Sequence, residues 1–214
     1  MIDTLWGLAL AVVAFCAIHL VPVVPGWRAK LIKKLTRNGY RGLFSLFSLL
    51  SLGWLIAAYV TAPDCALWAD MAWARLLPLA VMPIALSLYI GRYTAPTEIA
   101  KLTRHPMVWA VLLWALAHIP ANGDAASVLL FGGIALYLII DLPLNDARRR
   151  REEPLAFKEI AATTSILPFQ AWLEGRTLKP DWRALGLKAV APGLVVYLVI
   201  LFVHRYVFGV SALP

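Results

Sequence analysis

The sequence predicts an all-α integral membrane protein, a six-helix transmembrane bundle. Of its 214 residues, 61% are hydrophobic and only 15% are charged, and the mean hydropathy is +0.75, which is too apolar for a soluble domain of this length. The apolar residues form six unbroken runs, which favours helices over a closed barrel. The basic residues gather in alternate loops, as expected for a membrane protein.

Most of the six runs are close to the ~20 residues that a helix needs to cross a bilayer. They cover residues 4–24, 42–62, 73–91, 106–121, 125–142 and 187–208. The first run lacks a basic leader and a small-residue cleavage site, so we expect a retained span and not a signal peptide. The fourth and fifth runs are short, and the four-residue turn at 121–124 predicts that they form an antiparallel helical hairpin.

Loop charge predicts the topology, because cytoplasmic loops are enriched in lysine and arginine. The loop with Asp64 and Asp70 and the loop with Asp124 contain neither residue. The first, third and fifth loops carry Arg28, Lys30, Lys33, Lys34, Arg37, Arg41, Arg92, Lys101, Arg104, Arg148 to Arg151, Lys158, Arg176, Lys179 and Arg183. We therefore expect both termini on the outer, periplasmic side of a bacterial inner membrane, and a cytoplasmic loop at 143–186.

The rest of the chain organisation follows from the same pattern. No repeat or linker divides the sequence, which predicts a single transmembrane domain, 1–214. The net charge of +8 is explained by orientation in the membrane, so the predicted partner is the lipid bilayer and not nucleic acid. Residues 30–34 are expected to form a basic amphipathic helix on the anionic leaflet, and residues 147–160 to begin as a charged extension of span five.

Two histidines lie inside apolar spans, where an ionisable side chain is costly and usually functional. His19 and His118 differ in depth by about 10 Å when ~1.5 Å is counted per residue. This offset permits a haem with both imidazoles as axial ligands. Two histidines hydrogen-bonded across helices would fit the same spacing, so that alternative stays open. Cys16, one turn before His19 on the same helical face, is interpreted as a small apolar filler, and the alternative is a softer second ligand.

The other histidines and the cysteines give weaker signals. No HExxH, no CxxC and no cluster of carboxylates occurs in the sequence, which disfavours a structural zinc site. His105 lies at the cytoplasmic mouth of span four, and His204 is expected to have an interfacial role at the outer end of span six.

A second candidate site lies at the cytoplasmic edge. We call it the arginine collar; it consists of Arg104, His105, Arg148 to Arg151, Glu152 and Glu153. Arginine makes bidentate contacts with phosphate and carboxylate, so the collar could bind an anionic cofactor or a lipid headgroup. The alternative is a positive-inside collar with local salt bridges, in which Asp141 and Asp146 pair with the arginines.

Two segments carry a resemblance to a known family. They are AIHLVPVVPGWRAKLIKKLTRNGYRGLFSLFSLLS, residues 17–51, and TRHPMVWAVLLWALAHIPANGDAASVLLFGG, residues 103–133. The chain resembles the NnrU family of membrane proteins, which are associated with denitrification and related to 15-cis-ζ-carotene isomerase. Since those isomerases are haem b proteins, the resemblance implies haem b, with His19 and His118 at the ligand positions. Ala115 stands where the isomerases have a cysteine, so no thiolate ligand is implied there.

The resemblance implies an inner-membrane protein that binds haem b and serves the expression or maturation of nitrite and nitric-oxide reductases. One alternative is an isomerase-like haem enzyme acting on an apolar polyene, and another is an assembly protein without a cofactor. A more distant similarity, to isoprenylcysteine carboxyl methyltransferases, runs through Arg104-His105-Pro106 and Arg151-Glu152-Glu153 and implies bound S-adenosylmethionine. The segment after Glu153 lacks the glycine and paired tyrosines of those enzymes.

Overall fold

A computed structural model describes residues 3–69 and 71–213. Asp70, one of the acidic residues used to assign the second loop, lies outside the described residues. Within those two ranges the secondary structure is helical, apart from one isolated bridge between Ala66 and Asp124, which confirms the all-α prediction. The helices are α1 (Leu5–Leu20), α2 (Trp27–Val60), α3 (Ala72–Thr94), α4 (Pro96–Leu102), α5 (Pro106–Asn122), α6 (Ala125–Glu152), α7 (Pro154–Thr163), α8 (Gln170–Leu173) and α9 (Trp182–Phe208).

Four of these helices, α2, α3, α6 and α9, are long and apolar enough to cross a membrane. Large apolar side chains are exposed on them, as at Val60, 75% exposed, and Phe202, 76% exposed. Exposed apolar surface of this extent indicates a lipid environment, so the chain is a multi-pass membrane protein. Helices α1 and α5 are also apolar but have only 16 and 17 residues, or about 24 to 26 Å against a ~30 Å hydrocarbon core. The six-span count and the side of the termini stay predictions.

Helix α2 begins at Trp27 and not at the predicted residue 42 because a basic helical segment precedes the apolar one. The two segments meet at Thr36, whose φ of 63° and ψ of 168° are not helical. The Thr36 hydroxyl accepts a hydrogen bond from the Gly39 N–H at 3.3 Å, as a helix N-cap does. The predicted helix at Lys30–Lys34 is confirmed as a helical segment, and its contact with the leaflet stays a prediction.

Helix α6 runs past its predicted end at 142, in spite of Pro143, and stops at Glu152. A new helix, α7, starts with Pro154 in its first turn, where the missing proline N–H costs nothing. The predicted helical extension at 147–160 is therefore confirmed only as far as Glu152. Helices α6 and α9 each contain one π-helical turn, at Val128–Gly132 and Gly186–Val190.

The chain forms two compact units, and the first comprises residues 1–69 and 123–148. It contains α1, α2 and most of α6. Helix α1 lies close to α6 at Gly133, where an added β-carbon would collide with the side chain of Val12. One turn further along α1, the Cys16 thiol points at the Gly133 carbonyl oxygen, 4.0 Å away. The absence of a side chain at Gly133 is therefore what lets α1 and α6 pack in this unit.

The second unit comprises residues 70–122 and 149–214. Its apolar helices are α3, α5 and α9, and α3 packs against both of the others. The Tyr197 hydroxyl of α9 donates to the Leu79 carbonyl of α3 at 3.2 Å. A small core closes one part of this unit, formed by Ala95, Ile99, Leu102, Leu185 and Ala189. This core fixes α4 against the start of α9 and so positions the polar groups around Arg104.

Candidate functional site

His19 lies in the first unit, in the last turn of α1. Its Nδ1 is 2.7 Å from the carbonyl oxygen of Phe15. A carbonyl oxygen only accepts, so Nδ1 carries the proton in the neutral imidazole, and Nε2 keeps its lone pair. The half-buried ring packs on Phe15, with centroids 4.3 Å apart, and meets Phe44 and Tyr137 edge-on at 5.7 and 6.3 Å. These contacts hold one ring orientation.

His118 lies in the second unit, in α5, and repeats the same local geometry. Its Nδ1 is 2.7 Å from the carbonyl oxygen of Trp114, and the Trp114 ring centroid is 5.7 Å from its own. Both histidines thus bond a carbonyl four residues earlier in their own helix, where the sequence left open a bond across helices. Histidines that ligate metals commonly use the second ring nitrogen in this way.

The other two histidines differ in setting. The backbone N–H of His105 donates to the Thr103 hydroxyl at 3.3 Å, before the first turn of α5. His204 is in the same unit as His118 and near enough to interact with it electrostatically. Its Nδ1 is 2.9 Å from the carbonyl of Val210. Among the described residues of the second unit, His204 is therefore a histidine that interacts with His118. The large separation of the two residues in the sequence gave no sign of this interaction.

A chain of polar side chains follows one face of α6 in the first unit; we call it the α6 polar ladder. It consists of Tyr137, Asp141, Asn145 and Arg148. Tyr137 hydrogen-bonds Asp141, Asn145 donates to Asp141 Oδ2 at 2.6 Å, and Arg148 donates to Asn145 Oδ1 at 3.0 Å. Asp141 is only 5% exposed. Asn145 thus links Asp141 to Arg148 by i, i+4 and i, i+3 contacts. The direct pairing of Asp141 and Asp146 with the arginines stays a prediction.

Part of the arginine collar comes together in the second unit around the buried ring of Phe157. The guanidinium carbons of Arg104 and Arg150 lie 5.6 and 5.4 Å from that ring centroid. Arg104 is held at two further points: its N–H donates to the Ser165 carbonyl at 2.9 Å, and its guanidinium donates to Thr164 at 3.4 Å. Cation–π contact and backbone pairing therefore fix Arg104 in place.

Arg104 and Arg149 line one cavity of about 410 Å³ in this unit. Of the residues that the methyltransferase similarity assigned to S-adenosylmethionine, His105, Arg151 and Glu152 are not among the described residues that line it. That cofactor stays a prediction.

A second cavity, of about 190 Å³, lies between α3 and α5 and is lined only by apolar and aromatic residues. These are Met82, Ala85, Leu86, Tyr89, Ala110, Val111 and Trp114. Since Trp114 also holds the ring of His118, the cavity adjoins a candidate ligand residue. Sequence reasoning missed it because an apolar stripe on a helix looks the same whether it packs or leaves a gap.

Glu98, in α4, is the carboxylate with the clearest electrostatic setting outside the spans. It accepts two hydrogen bonds from Lys101 Nζ, both at 2.8 Å, and one from the Asp181 N–H at 2.7 Å. The bond from Lys101, followed by that from Asp181, lowers the pKa of Glu98. Glu98 therefore joins α4 to the segment that caps α9 and stays ionised at neutral pH.

Two chloroplastic 15-cis-zeta-carotene isomerases are similar to part of the chain. The Arabidopsis thaliana protein is 29% identical over 85 residues, which is 40% of this chain and 23% of the relative. The Zea mays protein is 30% identical over 84 residues, 39% of this chain and 23% of the relative. The match thus spans less than a quarter of either isomerase, and no solved structure matches the chain.

The wider match is to a family model. The model described as NnrU protein matches residues 7–212, which includes both segments that carry the resemblance and every candidate site residue. The chain therefore belongs to the NnrU family.

Proposed function

We propose that the protein binds haem b through His19 and His118 and serves the expression or maturation of nitrite and nitric-oxide reductases, as an inner-membrane member of its family. The observation that carries the haem proposal is that both imidazoles make the same Nδ1 hydrogen bond and so have the same tautomer. In each one the Nδ1–H donates a hydrogen bond to a helix carbonyl 2.7 Å away, which leaves the lone pair of Nε2 free to bind a metal. Family membership supports the denitrification role.

The donor set fits haem better than a bare metal ion. The described residues contain no group of three or more histidine, cysteine, aspartate or glutamate side chains able to hold a metal. A porphyrin brings its own equatorial nitrogens, so haem iron needs only axial ligands, for which imidazole is usual. Two separate imidazoles, each with a fixed ring, meet that requirement.

Haem iron, when bound, supplies redox change or the binding of a small diatomic gas. The residues of the chain set the conditions for it. The Phe15 and Trp114 carbonyls hold the Nδ1 protons and so raise the basicity of the opposite nitrogens. Around His19, the rings of Phe44 and Tyr137 limit the space for water.

Visible spectra of the detergent-purified protein, oxidised and reduced, test the haem proposal. We expect a Soret band in the wild type that is lost or shifted in His19→Ala and in His118→Ala. His105→Ala is the matched control and keeps the wild-type spectrum. If the Soret band is lost in His204→Ala while the spectrum of His19→Ala is normal, the proposal is wrong and the ligands lie in the second unit. A folded, colourless wild type that tolerates both substitutions would instead support a cofactor-free assembly protein.

The denitrification role is tested separately in a denitrifying host that carries this gene. Deletion is expected to lower whole-cell nitrite reductase activity, and the wild-type gene supplied in trans is expected to restore it. If activity is unchanged in the deletion strain, the denitrification role is wrong, whatever the spectra show.

A second candidate function, isomerisation of an apolar polyene, is favoured by the apolar cavity beside His118 and by the two similar isomerases. At about 190 Å³ the cavity is below the usual range for a whole ligand, so it would take one segment of a lipophilic chain. In a host that accumulates 15-cis-ζ-carotene, the protein is then expected to change the isomer ratio measured by chromatography.

Val111→Trp, which fills the cavity, is expected to abolish this change. Leu116→Trp is the matched control, because Leu116 is exposed on the same helix. An unchanged isomer ratio with the wild-type protein would exclude this activity.

A further inference from the structure

An exposed apolar surface lies in the second unit where α9 begins; we call it the α8–α9 patch. It consists of Phe169, Trp172, Leu173, Leu178 and Trp182. The ring centroids of Trp172 and Trp182 are 6.0 Å apart, and those of Phe169 and Trp172 are 6.5 Å apart. Leu173 and Leu178 are 79% and 80% exposed, and Phe169 and Trp182 are exposed as well. An apolar patch of this kind marks a surface that contacts a membrane or another protein.

The depth of the patch follows from its place on α9. This helix is long and apolar enough to cross a membrane, and its predicted apolar run starts at residue 187. Trp182 is five residues earlier, or about 7.5 Å along the helix axis. The interfacial region on each side of the hydrocarbon core is about 5–8 Å thick. Trp182 and the rings that contact it therefore lie at the level of the lipid headgroups.

The two indole groups of the patch suit this level. Trp109, elsewhere in the same unit, donates its indole N–H to the Ile166 carbonyl at 2.8 Å. Within residues 3–69 and 71–213, the indole N–H groups of Trp172 and Trp182 have no hydrogen-bond acceptor. Tryptophan is enriched at membrane interfaces because its ring enters the apolar region while its N–H reaches headgroups or water. Both indoles are therefore available for such contacts.

The backbone next to the patch is already paired. The Phe169 N–H donates to the Leu102 carbonyl at 2.7 Å. The Arg176 guanidinium donates to the Thr164 carbonyl, just after α7, at 2.9 Å and forms an ion pair with Glu174 at 2.6 Å. Since unsatisfied backbone groups are costly near hydrocarbon, this segment can lie against acyl chains at a lower cost than an open loop.

Cations border the patch. Lys179 and Arg183 are exposed, and in the part of the chain that the structure describes neither side chain has an ion pair. The carboxylate between them, Asp181, accepts the backbone N–H groups of Arg183 and Ala184 and so caps α9. Lysine and arginine side chains at an interface lay their stems on apolar surface, and anionic headgroups attract their charged ends. This border favours a membrane surface over an apolar protein partner.

We propose that residues 169–182 form an interfacial anchor, in which the α8–α9 patch inserts into the headgroup–acyl boundary of the leaflet where α9 begins. The occupant of this surface is the lipid bilayer itself, because the patch continues the lipid-facing surface of α9. The predicted cytoplasmic loop at 143–186 then lies partly in the membrane surface and not wholly in water. Neither candidate haem ligand belongs to the patch, so the inference is independent of the proposed function.

Depth-dependent fluorescence quenching tests the anchor in the full-length protein in lipid nanodiscs of phosphatidylcholine and phosphatidylglycerol. In the background Cys16→Ala/Cys65→Ser, the variants Leu173→Cys and Leu178→Cys each carry one environment-sensitive fluorophore. The quenchers are aqueous iodide, phosphatidylcholine brominated next to the headgroup, and phosphatidylcholine brominated near the chain end. We expect the lipid brominated next to the headgroup to quench both labels most strongly, and iodide to quench them weakly.

Two matched controls calibrate the depth. Glu159→Cys places the label on the exposed surface of α7, where we expect iodide to quench it severalfold more strongly than at 173 or 178. Leu198→Cys places it at an exposed position in the middle of α9, where we expect the lipid brominated near the chain end to be the best quencher. Unlabelled thermal midpoints identify the folded variants. If one leucine variant does not fold, the other decides.

Three results would overturn the proposal. If iodide quenches the labels at 173 and 178 as strongly as the label at 159, the patch faces water. If the labels are protected from both iodide and the brominated lipids, protein covers the patch, either a second copy of this chain or another partner. If they follow the pattern of position 198, the segment lies in the hydrocarbon core and not at its boundary. None of these results depends on the haem spectrum.

Discussion

Asp141 is the buried carboxylate on which the α6 polar ladder depends. It accepts from Asn145 and bonds Tyr137, and its low exposure of 5% means that water cannot replace these partners. Asp141→Ala is expected to lower the free energy of unfolding by about 1–3 kcal/mol, the cost of leaving a buried polar group unsatisfied. Thermal or denaturant unfolding in detergent measures it.

Asp141→Asn is the matched control, since the amide keeps an acceptor oxygen and is expected to lose less stability than the alanine variant. If Asp141→Ala unfolds like the wild type, the ladder contributes nothing to stability.

Glu98 provides a pH-dependent contribution at the residue scale. Its pKa is lowered in the folded state by the hydrogen bond from Lys101. The stabilisation is therefore complete above the ordinary glutamate pKa of about 4.3 and is lost as the pH falls through the lowered value. We expect the stability difference between wild type and Glu98→Gln to be greatest at neutral pH and to shrink on acidification below about pH 4.

Unfolding midpoints measured across this pH range test that expectation. The side chains of Glu98 and Lys101 are 19% and 20% exposed, so salt is expected to weaken the effect without removing it. If the unfolding midpoints of the wild type and of Glu98→Gln change in parallel with pH, protonation of Glu98 is not coupled to folding.

Residue types alone were enough to select the two histidines, because an imidazole in an apolar run is rare and conspicuous. Their ring tautomer was beyond sequence reasoning, since it depends on which atom lies next to Nδ1. The cavity of about 410 Å³ in the second unit was only half predictable: Arg104 was selected from the sequence, whereas Arg92 and Lys101, which also line it, were treated only as topology signals. Their convergence on one wall depends on how α3, α4 and α7 pack.

At the scale of elements, the close approach of α3 and α9 depends on Gly193. A β-carbon there would lie 2.8 Å from the Cα of Ser87, and backbone cannot move aside as a flexible side chain can. Gly193→Ala is expected to lower the free energy of unfolding by about 1–3 kcal/mol through overpacking.

Gly186→Ala, in the same helix, is the matched control because nothing lies within 4 Å of its added β-carbon. It is expected to be neutral or slightly stabilising, since alanine is the better helix former. Equal stability of the two variants, measured by thermal unfolding, would mean that α3 and α9 do not touch at this point.

The break in α2 shows where element prediction reaches its limit. Hydropathy indicated an apolar span beginning at 42 and a basic helix at 30–34, and both exist. The sequence around Thr36 contains no proline, so nothing marked the left-handed φ of 63° that separates them. A threonine in such a conformation is uncommon, and here its hydroxyl caps the next segment.

For the whole molecule, hydropathy predicted the helices well but not how many cross the membrane. Four helices are long enough, and α1 and α5 are marginal, because crossing depends on local bilayer thickness as well as on length. The charge pattern requires all six to cross if both basic and acidic loops are to lie on their predicted sides. Of the two marginal helices, α5 lies between the well-defined α3 and α6, so whether α5 crosses decides on which side the following basic loop lies.

Cys65 and Glu159 form a pair of positions that tests this topology. Both are exposed, and α3, α5 and α6 lie between them in the chain. If all three helices cross, the two positions are on opposite sides of the membrane; if α5 does not cross, they are on the same side.

Labelling with a membrane-impermeant maleimide in right-side-out vesicles distinguishes the two topologies. In Cys16→Ala, where Cys65 is the remaining thiol, we expect labelling without permeabilisation. In Cys16→Ala/Cys65→Ser/Glu159→Cys we expect labelling only after the membrane is opened, since the basic loop that contains position 159 is predicted to be cytoplasmic. If both variants are labelled in intact vesicles, the two positions lie on the same side of the membrane. In that case α5 does not cross, and the six-span prediction is wrong.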